Sequence, residues 1–164
     1  MNVVLCGMMG VGKTSVGKKL EWLSGRKCVD TDEIIVRQYG KIADIFERYG
    51  EPYFRDLETQ TAEQLSEKDN LVISTGGGLV LRQKNVELLK KNGKIFFLRA
   101  SLDTLVSRVS VNDSRPLLKE GAEKKLRELI PVRTPVYEAA ADYIIDTDHR
   151  TVADIAQEIL SRME

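Results

Sequence analysis

Histidine is almost absent from this chain: His149 is the single one in 164 residues. Cysteine is scarce too, with only Cys6 and Cys28. Neither has metal-ligand spacing, and one histidine adds no cluster, which removes a zinc-organised fold from consideration. The two thiols are expected as small apolar residues in buried strands, with no disulfide, because the chain reads as cytosolic. An excess of one charge is also missing. The 25 basic and 25 acidic side chains balance, so there is no electrostatic footprint for nucleic acid or for an anionic membrane. No apolar run approaches the ~20 residues of a membrane span. The apolar start, Val3 to Cys6, is too short for a signal-peptide core and has no basic flank. Repeats, low-complexity segments and linkers are lacking. The expectation is one domain over residues 1–164, cytoplasmic, with enough length for a full core.

What is present is concentrated in residues 7–14, Gly7-Met8-Met9-Gly10-Val11-Gly12-Lys13-Thr14, which match G-x-x-x-x-G-K-[ST]. Phosphate oxygens need donors at close range, and a backbone N–H approaches only where side chains are absent. Gly7, Gly10 and Gly12 give that access and tolerate the positive φ such a loop requires. Lys13 then reaches the β- and γ-phosphates, and the Thr14 hydroxyl is placed to ligate Mg²⁺. The context agrees. Val3-Val4-Leu5-Cys6 reads as a buried strand, and Val16, Leu20 and Leu23 recur behind the loop at helical spacing.

Strand-like and helical segments alternate onward. Cys28 to Asp30 reads as a second strand, followed by helices over Glu33 to Tyr39 and Ala43 to Tyr49. A longer helix starts from about Pro52, with Phe54, Leu57, Thr61 and Leu65 at intervals of three and four. Leu71 to Ser74 is a third strand, and Val86, Leu88 and Leu89 mark a helix that stops near Gly93. Ile95 to Leu98 is a fourth strand, and Ser101 is set to cap the next helix. Residues 111–121 are polar, contain Pro116 and Gly121, and read as a mobile surface loop, with a charged helix over 122–130. Tyr143 to Ile145 is a fifth strand. The last helix starts at Thr151, with Val152, Ile155, Ile159 and Leu160 facing inward. The alternation predicts an α/β fold of three layers, αβα, around a five-stranded parallel sheet. Ligands then bind beyond the carboxyl ends of the strands.

The segments after the strands bear this out chemically. Asp30-Thr31-Asp32 sets two carboxylates two residues apart, one able to hold a metal and the other to meet a substrate hydroxyl; helix capping competes for the same residues. After the third strand there is no acid but Ser74, then Thr75-Gly76-Gly77-Gly78, where a small ligand can lie against bare backbone, or the chain merely turns. Arg55 and Glu58 are i,i+3 neighbours, as a surface ion pair would also be. Arg115 stands in the polar loop, where folding over a site would let it neutralise a transferring phosphoryl group. Arg133 could be a solvated helix charge, and Arg108 could stack on a base.

Together these segments resemble the shikimate kinase family, a small branch of the P-loop nucleoside-monophosphate-kinase-like group. The resemblance is carried by Gly7 to Thr14, Asp30-Thr31-Asp32, Ile42-Ala43-Asp44-Ile45-Phe46, Phe54-Arg55-x-x-Glu58, Ser74-x-Gly76-Gly77-Gly78, Arg115-Pro116-Leu117-Leu118 and Arg133-x-Pro135-x-Tyr137. It implies a P-loop kinase fold with a lid at about 111–121 and a substrate-binding helical segment at about 33–60. It implies transfer of the ATP γ-phosphate to the 3-hydroxyl of shikimate, in the pathway to chorismate and the aromatic amino acids, by a cytoplasmic monomer. Asp32 would bind and orient the hydroxyls. Arg55 and Arg133 would clamp the carboxylate, Gly77 would add a backbone contact, Glu58 would hold Arg55, and Phe46 and Phe54 would wall the pocket. ATP would be held by Gly10, Val11, Gly12, Lys13, Thr14 and Ser15. Arg115 would close with the lid, and Arg108 and Arg150 would flank the adenine. Mg²⁺ would sit on Thr14, with Asp30 and Ser74 acting through water. The catalytic set would be Lys13, Asp32 and Arg115.

Met8 and Met9 fill variable positions of the loop, and the segment Thr147 to Thr151 matches only loosely. A different small-molecule kinase of the same fold, such as one for gluconate or a nucleoside monophosphate, remains open, since an arginine clamp fits any small acid. A GTPase switch is disfavoured because N-K-x-D and D-x-x-G are both missing.

Overall fold

Apolar strands covered on both faces need almost no polar residues, and three segments of this chain meet that condition. In the computed structural model, which describes residues 1–111 and 116–164 and side chains outside 110–120, they form the centre of a five-stranded sheet. The strands are β1 (Asn2–Cys6), β2 (Lys27–Asp30), β3 (Leu71–Ser74), β4 (Gly93–Arg99) and β5 (Tyr143–Asp146), in the order β2-β3-β1-β4-β5. All four pairings are parallel. Val3, Val4, Leu5, Ile73, Ile95, Phe96 and Leu98 are fully buried.

The helices are α1 (Lys13–Ser24), α2 (Thr31–Tyr39), α3 (Ile42–Tyr49), α4 (Glu51–Ser66), α5 (Gln83–Lys90), α6 (Leu102–Val111), α7 (Pro116–Ala140) and α8 (Val152–Met163), with a 3-10 turn at Leu79–Leu81. Helix α1 packs on α8 and on β1 to β3, while α4, α5 and α7 gather around the 3-10 turn, α5 and α7 also touching β4. The expected three-layer αβα fold is therefore the one observed.

Parallel connection puts every β-to-α turn at the same edge of the sheet. Register then fixes neighbours: Leu5 pairs with Ser74, and Ser74 with Asp30. The phosphate loop, the Asp30 turn and the triple glycine are thus adjacent because β1, β2 and β3 are. Helices α2 and α3 with the start of α4 have a small core of their own, in which Ile35, Ile45, Phe54 and Leu57 pack together against Ile42 and Phe46.

Several local expectations need correction. Strands β2 and β5 lie at the sheet edges, so Cys28 is only half-buried and Ile144 is 42% exposed. Leu23 and Val152 fall at the margins of their helical stripes and stay partly exposed. Backbone expected as a loop at 116–121 is the first turn of α7, because Pro116 takes the first helical position, where a missing N–H costs nothing. Helix α7 also runs past 130, through Pro131 and Pro135. Leu126, Ile130, Tyr137 and Ala140 form one apolar stripe, and its burial outweighs the hydrogen bonds the two prolines remove. Val111 ends α6, and residues 112–115 of the expected lid, including Arg115, lie outside the described residues.

Phe96, fully buried and stacked on Tyr143 with centroids 5.4 Å apart, joins the central sheet to its β5 edge. Phe96→Ala should lower stability by about 3–5 kcal/mol, read as a fall in the urea midpoint. A loss under about 1 kcal/mol would mean that this ring is not part of the load on the core.

Candidate active site

Bare backbone makes the first half of the site. Gly7, Gly10 and Gly12 all have positive φ, as the sequence requires of them. At Gly7 the need is also spatial, since a Cβ there would press on the Leu98 carbonyl of β4. Lys13 opens α1 and turns its ammonium back over the loop, donating to the Gly7 carbonyl at 2.6 Å and the Met8 carbonyl at 3.2 Å. The residue is half-buried, and burial lowers its pKa to about 8. Asp32, Asp30 and the Cys6 thiol pull the other way, too weakly to restore the usual lysine value.

A cavity of about 720 Å³ lies on the α6 side of this loop, lined by Gly10, Gly12, Lys13, Thr14, Ser15 and Arg108, among others. Val11 does not line it: its side chain is buried, and its carbonyl accepts from Arg108 Nη1 at 2.5 Å. Arg108 thus ties α6 to the phosphate loop while facing the cavity. Arg150 is elsewhere. It donates to the Asp146 carbonyl at 3.0 Å and to Glu158 at 2.7 Å, joining the end of β5 to α8, and does not line the cavity.

A second cavity, of about 280 Å³, lies across the loop and is lined by Asp30, Asp32, Ser74, Gly76, Gly77 and Arg133. Lys13 and Thr14 belong to both cavities and mark their junction. Asp30 performs both of the tasks that competed for it. Its Oδ1 caps α2, accepting from the Asp32 and Glu33 amides at 2.8 and 3.1 Å, and the residue still faces the cavity.

The triple glycine is occupied on its bare side. A Cβ on Gly76 would strike the Asp32 carboxylate, one on Gly77 would crowd Arg133, and one on Gly78 would strike the Arg55 guanidinium. Three charged side chains, from α2, α7 and α4, therefore converge on three consecutive glycines. Burial raises the pKa of Asp32, and the Asp30 carboxylate adds to the rise; Lys13 and Arg55 oppose both.

Arg55 donates to Glu58 at 2.7 Å, and Glu58 is 1% exposed. Burial favours the neutral acid of Glu58, while the guanidinium holds it in the ion pair. This is a buried strut and not the surface pair that spacing alone allowed. Phe54 is buried, Phe46 half-buried, and their rings lie 5.0 Å apart below Arg55.

Three participants had no role in the sequence reading. Glu51 also accepts from Arg55, at 3.2 and 3.0 Å, and its i,i+4 spacing was the available signal. Thr31, fully buried, accepts from the Gly76 amide at 2.9 Å, which ties the Asp30 turn to the glycines. The Tyr137 hydroxyl donates to the Gly77 carbonyl at 2.6 Å. Neither of these last two contacts has a signal in local sequence, because each spans 45 or more positions.

A phosphate loop opening onto two cavities, one large and one small and charged, defines a P-loop phosphotransferase with a small polar acceptor. Comparison with known proteins narrows this. The shikimate kinase family model matches residues 9–164. A shikimate kinase of Thermodesulfovibrio yellowstonii is 44% identical over 165 residues, covering 99% of this chain and 95% of that protein. A solved shikimate kinase from Acinetobacter baumannii, in complex with shikimate, matches with a TM-score of 0.87 at 40% identity, covering 99% of this chain and 92% of that one. A gluconokinase from Sinorhizobium meliloti, at 17% identity and a TM-score of 0.60, shares the fold alone, over 98% of this chain and 89% of that one. The chain belongs to the shikimate kinase family.

A triphosphate favours the charged form of Lys13, and the free protein loses that charge as pH rises through about 8. ATP affinity should be level below that pH and fall about tenfold per unit above it. Fluorescence titration across pH 6.5–9.5 reads this, with Lys13→Ala weak and level throughout. A wild-type profile without a break would show that the ammonium is not the group that titrates.

Proposed function

We propose that this enzyme transfers the γ-phosphoryl group of ATP to the 3-hydroxyl of shikimate, giving ADP and shikimate 3-phosphate. The observation that carries the reading is the junction of the two cavities at Lys13 and Thr14. A triphosphate in the larger cavity presents its terminal phosphoryl group there, facing whatever acceptor the smaller one holds.

In this reading Asp32 receives the acceptor hydroxyls and orients the attacking oxygen. Its raised pKa suits a group that accepts a proton late in the transfer. Arg55 and Arg133 take the carboxylate, Gly77 adds a backbone contact, and Glu58 holds Arg55. Phe46 and Phe54 close the apolar side. Gly10, Val11, Gly12, Lys13, Thr14 and Ser15 cradle the phosphates, Val11 through its backbone alone. Arg108 faces the base, and Arg150, farther off, would approach the adenine only from the β5 end. Arg115, outside the described residues, keeps the role that the family resemblance implies for it, closing with a lid at about 111–121 to exclude water.

The donor set fits magnesium. Thr14, Asp30 and Ser74 line one cavity, and among the described residues no three or more His, Cys, Asp or Glu side chains gather as a metal cage. Magnesium takes few protein ligands and completes its shell with phosphate oxygens and water. Thr14 would hold it directly, and Asp30 and Ser74 through water; when bound it neutralises charge on the β- and γ-phosphates. A single domain over 1–164, a monomeric state and a cytoplasmic location belong to the same proposal. Among the described residues no helix is long and apolar enough to cross a membrane.

ADP release from MgATP, with shikimate, gluconate or AMP added separately, tests the reading. Release should depend on shikimate. Asp32→Asn should lower kcat by about 10²–10⁴-fold. Arg55→Ala and Arg133→Ala should raise the shikimate KM by about 10- to 100-fold and leave the ATP KM in place. Turnover with gluconate or AMP and none with shikimate would overturn the acceptor.

A further inference from the structure

Tyr137 is fully buried on α7, its ring packed on Phe97 of β4 with centroids 5.1 Å apart. A phenolic oxygen has one proton to give and lone pairs to accept with. The proton goes to the Gly77 carbonyl at 2.6 Å; the Met8 sulfur, at 3.7 Å, is a weak second contact. Arg133 stands one helical turn earlier on the same helix; burial raises the phenol's pKa, and the positive charge of Arg133 draws it down against that rise. The same two groups face the bare side of Gly77, where a Cβ would lie 3.0 Å from Arg133 Nη1 and 3.6 Å from the Tyr137 oxygen. One hydroxyl therefore bonds a backbone contact of the acceptor pocket and lies beside its α7 arginine, and the ring anchors that hydroxyl to the sheet.

We propose that Tyr137 is a positioning residue for the acceptor: it holds Arg133 and the Gly77 peptide in the geometry that receives the substrate carboxylate. This rests on the shikimate kinase reading above. An arginine packed beside a fixed, buried group has already lost rotamer freedom that it would otherwise lose on binding substrate. A carbonyl that keeps its donor fixes the plane of the Gly77–Gly78 peptide, since that unit is rigid. Burial pushes the Tyr137 phenol up to about 12, so it remains a donor across the working pH range.

Tyr137→Phe keeps the ring and removes only the hydroxyl. The expected result is a rise of about tenfold in shikimate KM, with kcat and ATP KM within about twofold of wild type. In an Arg133→Ala background the same change should have a smaller effect, because one of the two groups it positions is gone. para-Aminophenylalanine at position 137 restores a donor at the same place and should recover most of the lost affinity. It also serves if Tyr137→Phe folds poorly. Unchanged shikimate KM in folded Tyr137→Phe would overturn the proposal. So would equal rises in both KM values, or a full effect in the Arg133→Ala background. Wild-type turnover with shikimate, measured alongside, separates these failures from failure of the acceptor assignment itself.

Discussion

Three consecutive residues without side chains decide where everything else in this site can stand. Beyond β3 the backbone of Gly76, Gly77 and Gly78 is approached by Asp32, Arg133 and Arg55 in that order, each where a Cβ would be. Charged groups of opposite sign are thereby brought onto one short run from three helices far apart in sequence. The turn is not loose. Gly76 donates to Thr31, and Gly77 accepts from Tyr137, so the backbone that admits the charges is itself held from both sides. Flexibility and access are different uses of glycine, and here the second applies.

The electrostatics follow from that crowding. Lys13 and Asp32 are both partly withdrawn from water, and burial moves each toward its neutral form, one downward and one upward. Each also stabilises the other's charge. Phosphoryl transfer needs a cation for the phosphate oxygens and an anion for the acceptor hydroxyl, close together in a dry place. Two groups with opposite shifts face the smaller cavity together, and in the proposed reaction they take those two tasks. Glu58 shows the same economy at the other end: a carboxylate buried at the helix face, tolerated because Arg55 is against it.

The sequence was readable wherever chemistry and local pattern coincide. The Gly7 to Thr14 loop announces both its strand–loop–helix context and its ligand, and the central strands show as apolar runs because both of their faces are covered. Strands β2 and β5 were legible too, but the half-exposure of Cys28 was not, since an edge strand differs in lacking a second neighbour, which no local pattern reports. Helix α7 was cut short at Pro131 because proline costs are local while the burial of Leu126, Tyr137 and Ala140 is tertiary. In the site, Arg55 and Arg133 read alone as ordinary helix charges, and only the family resemblance gave them their roles and assigned the acceptor hydroxyls to Asp32. Thr31 and Tyr137 stood in the same motifs without a role, because their value comes from partners 45 and 60 positions away.

The separate small core under α2, α3 and α4 gives these long-range contacts a further meaning. Ile35, Ile45, Phe54 and Leu57 pack with one another and form no part of the main cluster around the sheet. A segment with its own core is not positioned to a fraction of an ångström by packing on the sheet alone. Polar ties at its boundary add to that packing: the Asp30 cap and the Thr31 bond to Gly76, with the Arg55 guanidinium packed against bare Gly78. Each tie ends on the backbone beyond β2 or β3, whose register against β1 is fixed by the sheet. The acceptor half of the site is therefore referenced to the phosphate half through main-chain atoms. Main-chain atoms are where a parallel sheet is most exact, and catalysis by positioning depends on that exactness.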